Sequence, residues 1–179
     1  LLSPLQSVCG IVEKRHTLPI LSNVLMEKNG EQLTLLATDI EIQITTRTPT
    51  IGNEKASMTV GARKLQDILR SLPESAEVSL ALDDKRLQLK AGKSRFNLQT
   101  LPRDDFPVIA EGDLPTQFEL PVQTLKEMID RTRFAISTEE TRYYLNGIFF
   151  HVADDGQPVL KAAATDGHRL ARVTMPRPE

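Results

Sequence analysis

Apolar residues at Leu5, Val8, Cys9 and Val12 recur at helical spacing, and Gly10 and then Lys14-Arg15-His16 weaken and end that helix. The period then shortens. Segments 22–28 and 33–48 read as strands around Asn29-Gly30, a dipeptide that readily takes the positive φ of a tight hairpin. Leu33 and Leu35 follow one alternation and Ile40, Ile42 and Ile44 another, so a bulge or bend is expected at 37–39. Residues 62–71 predict a second helix with Leu65, Ile68, Leu69 and Leu72 on one stripe, Pro73 after its end, and Arg63, Asp67 and Arg70 on the opposite face. Alternation returns at Val78, Leu80 and Leu82, at Leu87 and Leu89, and at Phe96 and Leu98. With turns at Asp83-Asp84 and Gly92, this predicts a three-strand meander.

Residues 102–117 concentrate Pro, Gly and Asp and form the best linker of the chain. Beyond it, a strand is expected at 118–120. Leu125, Met128 and Ile129 then line a third helix that follows Pro121. YLNGIFFHV (144–152) and PVLKAAATDGHRLARVTM (158–175) predict strands around an Asp154-Asp155-Gly156 turn. ATDGHRLA at 164–171 also echoes ATDIEIQI at 37–44, with a similar order of elements around each copy, so the chain reads as duplicated units.

Composition narrows the class without naming a partner. A net charge of −2 argues against a uniformly basic nucleic-acid binder, so any such binding must come from charge gathered on one surface. No apolar run approaches membrane-spanning length, and the single cysteine, Cys9, forms no internal disulfide, which fits a reducing cytosol. His16, His151 and His168 lack metal-ligand spacing, and no phosphate-cradling Gly loop is present, so no metal or cofactor is expected. The chain starts without Met and is expected to be a fragment with no visible targeting sequence.

Four blocks together resemble one family. HTLPILSNVLME at 16–27, LPRDDFP at 101–107, TRYYLNGIFF at 141–150 and ATDGHRLARVTMP at 164–176 look like the bacterial DNA polymerase III beta subunits, the sliding clamps. The resemblance implies an α+β DNA-clamp fold of duplicated helix-plus-antiparallel-sheet units. Residues 1–107 would be the N-terminal domain without its first strand, 108–117 a linker, and 118–179 the first half of the central domain. It further implies a non-catalytic, cytoplasmic processivity factor that closes as a head-to-tail homodimer around double-stranded DNA. Its partners would be the polymerase III catalytic subunit, the clamp loader, and repair polymerases and ligase-type clients.

The resemblance also assigns residues. Arg15, Arg63, Arg70, Tyr143 and Tyr144 would contact DNA, since guanidinium pairs with phosphate and exposed tyrosine stacks on bases. Lys126, Arg131 and Arg133 lie on or beside the third helix, whereas Glu139 stands where relatives carry a neutral residue and is not expected to bind phosphate. Leu145, Thr165, Gly167, His168, Arg169 and Leu170 would form half of a pocket for a short hydrophobic peptide. Lys64, Arg86, Lys93 and Arg95, with Phe96 and Leu98, would form a subunit interface along an edge strand.

Each assignment has a plainer counterpart in the residues alone: a solvated helix face, surface tyrosines on a strand, a strand end with a Gly turn, and an edge protected by charge. Two other functions remain open at this level. One is a peptide-binding adaptor that never encloses DNA. The other is a hydrolase using Asp166 and His168, for which no Ser or Cys nucleophile sits in a recognisable motif.

Overall fold

The helical spacings become helices where expected: α1 (Leu2–Cys9), α2 (Ala62–Ser71) and α3 (Val122–Thr132). The structure, a computed structural model, describes residues 1–12, 18–83, 85–110, 112, 117–154 and 156–177. Arg15, with Lys14 and His16, lies outside the described residues, as do Asp84 and Asp155. The chain divides into two units, Leu1–Glu111 and Gly112–Glu179.

In the first unit, seven antiparallel strands form one sheet of order β3-β2-β1-β4-β7-β6-β5. They are β1 (Asn23–Asn29), β2 (Gln32–Thr38), β3 (Gln43–Pro49), β4 (Lys55–Gly61), β5 (Ser79–Asp83), β6 (Arg86–Ala91) and β7 (Ser94–Leu101). Strand alternation decides which side chains meet the helices. Val24 and Met26 of β1 join Leu35, Val60, Leu87, Leu89 and Leu98 in a core closed by Leu5 and Val8 of α1 and Leu65 and Leu69 of α2. Leu25 points to the other face and packs with Leu36, Ile20 and Phe106.

That second cluster shows what LPRDDFP does. A 3-10 turn at Arg103–Asp105, closed by Phe106 N–H donating to Arg103 C=O at 3.0 Å, delivers Phe106 to the sheet with 3% exposure. Arg103 Nε meets Glu27 Oε1 at 3.3 Å. The start of the Pro-rich segment is thus a strap fixed to the first unit. Further along it, Ile109 N–H donates to Gln43 Oε1 at 2.9 Å, beside an open groove of about 560 Å³ bordered by Ile42, Gln43, Thr45 and Ala110.

In the second unit β8 (Phe149–Asp154), β9 (Pro158–Thr165) and β10 (Leu170–Pro176) form an antiparallel sheet of order β10-β9-β8. Met128 of α3 is buried against Leu160, Ala162 and Val173, and Ala135 packs with Ala164 and Ala171. The order helix, 3-10 turn, three strands occurs in both units, and β2 and β9 are the middle strands of their triplets. Mixed helices and antiparallel sheet make this the α+β class expected.

Three local expectations are corrected, and one strand goes unpredicted. Residues 33–48 are not one strand with a bulge: the chain reverses at Asp39–Ile42, so β2 and β3 pair antiparallel, and Ile40 and Ile42 lie on the turn, half-exposed. The periodicity does not predict β4, because Lys55 to Gly61 mixes small and polar residues that alternate only weakly. No strand forms at 118–120. Tyr144 to Ile148 is not strand either, since Asn146 N–H turns back to Tyr143 C=O at 3.0 Å and β8 begins only at Phe149.

Candidate nucleic-acid and peptide interface

The two Thr-Asp copies make the same turn from the same side-chain atoms. In the second copy Thr165 Oγ1 donates to Arg169 C=O (2.7 Å) and accepts from Gly167 N–H (3.1 Å), while Asp166 Oδ1 accepts from the His168 and Arg169 N–H groups (2.9 and 3.0 Å). In the first, Thr38 Oγ1 donates to Ile42 C=O (2.8 Å) and accepts from Ile40 N–H (3.0 Å), and Asp39 Oδ1 accepts from Glu41 and Ile42 N–H (3.0 and 2.7 Å). Short polar side chains that substitute for ladder partners are what reverse the strand here. The third position has positive φ in both, +84° at Ile40 and +89° at Gly167.

Asp166 is used up by this turn. Its Oδ2 takes Arg169 Nε at 2.8 Å, so both carboxylate oxygens hold backbone or guanidinium rather than the His168 ring. The His168 and Arg169 N–H groups, and then the Arg169 guanidinium, hold the carboxyl down from its ordinary 3.8 to about 2. A carboxyl whose pKa falls on folding stabilises the fold fully above its unfolded value and loses that contribution as pH drops through the folded one. The turn should therefore hold until the pH falls from about 4 toward 2. An NMR titration in which the Asp166 carboxyl inflects near its ordinary value would contradict this.

Facing the turn is a loop closed at its base by Ser137 N–H donating to Leu145 C=O at 3.1 Å. Within it, the 3-10 segment Glu140–Leu145 is kinked at Arg142 (φ −115°, ψ 47°). Tyr143 and Tyr144 stand edge to face, 5.9 Å apart, with 78% and 71% of their surface exposed. Paired exposed rings of this kind offer stacking surface rather than core. Arg142 Nε meets Glu139 Oε2 at 3.3 Å, so Glu139 is paired with a cation of its own loop. Leu170 is exposed, Leu145 half-buried, and Arg169 lies over the Phe134 ring, 5.8 Å from its centre.

The helices carry the cations differently. Arg63 Nη2 donates to Val12 C=O at 2.7 Å, tying α2 to the segment that follows α1, while Arg70 lies exposed on the same face. Burial raises the Cys9 thiol pKa, and both arginines act the other way through their positive charge, which places that face beside α1. On α3 and at the residue that follows it the cations are paired: Lys126 with Asp130, Arg131 with Glu127 (2.7 Å) and Arg133 with Asp130 (3.3 Å).

Residues 1–110 match the family described as DNA polymerase III beta subunit, N-terminal domain, and residues 119–179 match its central domain. The chain belongs to the DNA polymerase III beta subunit family. The beta sliding clamp of Caulobacter vibrioides (strain NA1000 / CB15N) is 46% identical over 100% of this chain and 49% of its own length. That of Escherichia coli (strain K12) is 42% identical over 98% of the chain and 48% of its length. A solved Caulobacter crescentus pol III beta superposes with a TM-score of 0.94 at 46% identity, over 99% of this chain and 48% of that one. The chain thus spans about half the length of the curated beta clamps it matches.

The residues assigned through the beta subunit family fall into separate places. Thr165, Gly167, His168 and Arg169 share one turn, and the Tyr143-Tyr144 loop touches that turn through Arg142. Lys64, Arg86, Lys93 and Arg95 are exposed and Phe96 is half-buried. β7 pairs with β4 only at Thr100 and Leu101, so Ser94 to Leu98 is paired through β6 alone among the described residues. Leu98 is a correction: opposite Leu87, it lies in the core at 3% exposure and is not a surface residue, because its alternation faces the helices. Arg142 is legible in the sequence only as the residue before the paired tyrosines, and Asp130 not at all. Nothing in the spacing of single charges reveals that one sits on a glycine and the other pairs two cations.

Proposed function

We propose that this chain is part of a sliding clamp, a non-catalytic, cytoplasmic subunit that encloses duplex DNA and holds the replicative polymerase on it. The observation that carries this is the continuous match of both units to neighbouring domains of one clamp family. In this reading the basic faces of α2 and α3 meet the phosphate backbone through Arg63 and Arg70 and through Lys126, Arg131 and Arg133. Tyr143 and Tyr144 make further contact, and Arg15 joins them by resemblance. The 165–170 turn with Leu145 forms half of a docking surface for hydrophobic peptides of the polymerase, the loader and repair proteins. The exposed Arg86, Lys93 and Arg95 beside the one-sided stretch of β7 form the head-to-tail dimer contact, with Lys64.

A ring that must slide needs cations that grip weakly. The α3 pairs suit this: each phosphate must compete with Asp130 or Glu127 for its cation. The test is retention of the full-length protein on nicked circular DNA across a salt series. Arg70→Gln should weaken retention and flatten the dependence of log K on log salt by about 0.9 for each phosphate no longer neutralised. Asp130→Asn should strengthen retention. Cutting the circle should release the protein in every case. Retention that ignores these charges and survives linearisation would favour the adaptor that binds peptides without enclosing DNA.

A further inference from the structure

Gly167 stands where the equivalent turn has Ile40, at nearly the same positive φ. A β-branched residue at such φ is a true outlier, and the first copy tolerates it with all four turn hydrogen bonds made. The positive φ by itself favours glycine in the second copy, yet Ile40 shows that the turn also forms without it. Space is a second reason, absent from the first copy: a Cβ on Gly167 would lie 2.9 Å from Arg142 Nη1, so the guanidinium rests against the bare Cα. Arg142 belongs to the tyrosine loop, sits at its backbone kink, and is steadied by Glu139 at 3.3 Å.

We propose that Arg142 is a positioning residue: seated on Gly167, it latches the Tyr143-Tyr144 loop to the Asp166–Arg169 turn. The consequence for function rests on the reading given under Proposed function. DNA contact by the tyrosines and occupation of the turn by a peptide become coupled, because whatever covers Gly167 must lift Arg142 and free the loop. Arginine suits the seat, since its planar group lies flat against a backbone where a lysine ammonium does not.

Amide hydrogen exchange in the full-length protein tests the latch, with Arg142→Ala, Gly167→Ala, the double variant and Arg142→Lys compared. Both single alanine variants should speed exchange across residues 139–146 by roughly three- to tenfold, the size expected when one packing contact of about 1 kcal/mol is removed. The double variant should add nothing further, Arg142→Lys should not restore protection, and exchange in α3 should stay unchanged. Additive effects, unchanged loop exchange, or equal loosening of α3 would overturn the latch. DNA retention is measured on the same variants. A loosened loop with undiminished retention supports the latch and overturns DNA contact by the tyrosines, so the two ideas fail separately.

Discussion

Phe106→Ala should lower the unfolding free energy of the first unit by about 3 kcal/mol, the low end for truncating a buried phenylalanine. The side chain is nearly inaccessible, yet its cluster of Leu25, Leu36 and Ile20 is small and near the surface, so partial collapse will recover some of the loss. Arg103→Gln, by contrast, should cost no more than about 1 kcal/mol, because both members of its pair with Glu27 are about two-fifths exposed and water screens them. The strap is thus held by its aromatic residue and not by its charges. Urea unfolding decides this: the midpoint should move in Phe106→Ala with little change in slope. A shift matching that of Arg103→Gln would mean that Phe106 contributes no packing.

Lys28→Met should cost about 2 kcal/mol through a different mechanism. The Lys28 ammonium donates to Gly30 C=O (2.7 Å) and Gly52 C=O (2.6 Å), with Glu54 C=O at 3.3 Å, and its side chain is only 19% exposed. One cation thereby fastens the β1–β2 turn to the β3–β4 connection, two loops separated in sequence by a whole hairpin. Methionine keeps the volume and removes the donor, leaving these carbonyls to water or to nothing. Glu54→Gln should change stability far less, since that carboxylate is 77% exposed. The discriminating measurement is amide exchange around Gly30 and Gly52, which should accelerate together in Lys28→Met. Acceleration at one turn only would show that the ammonium does not join them.

Much of the architecture is legible in apolar spacing, and the exceptions share a cause. α2 and the β5–β7 meander follow strong periodicity against a single core, so their residues state their own geometry. β4 is central in its sheet yet reads as Ala-Ser-Met-Thr, because neighbours on both sides supply the burial that its own side chains lack. The reversal after β2 passes for a bulge because Ile40 and Ile42 look like strand residues. Thr38 and Asp39, which bend the chain, act through hydrogen bonds that no hydrophobic pattern records. At the site, the echoed Thr-Asp pair is visible in the sequence, and so are the adjacent tyrosines. The seating of Arg142 on Gly167 is not, since it joins residues 25 positions apart through the absence of a side chain. Leu98 misleads for the converse reason: it stands on an edge-like strand but on the face that the helices cover.

The exposed tyrosine pair has an optical consequence. The chain contains no tryptophan and only two tyrosines, Tyr143 and Tyr144, both in the loop that Arg142 holds. Its intrinsic tyrosine emission therefore originates from one patch of surface, and quenching by a bound base or a shift in ring mobility registers there without any attached dye.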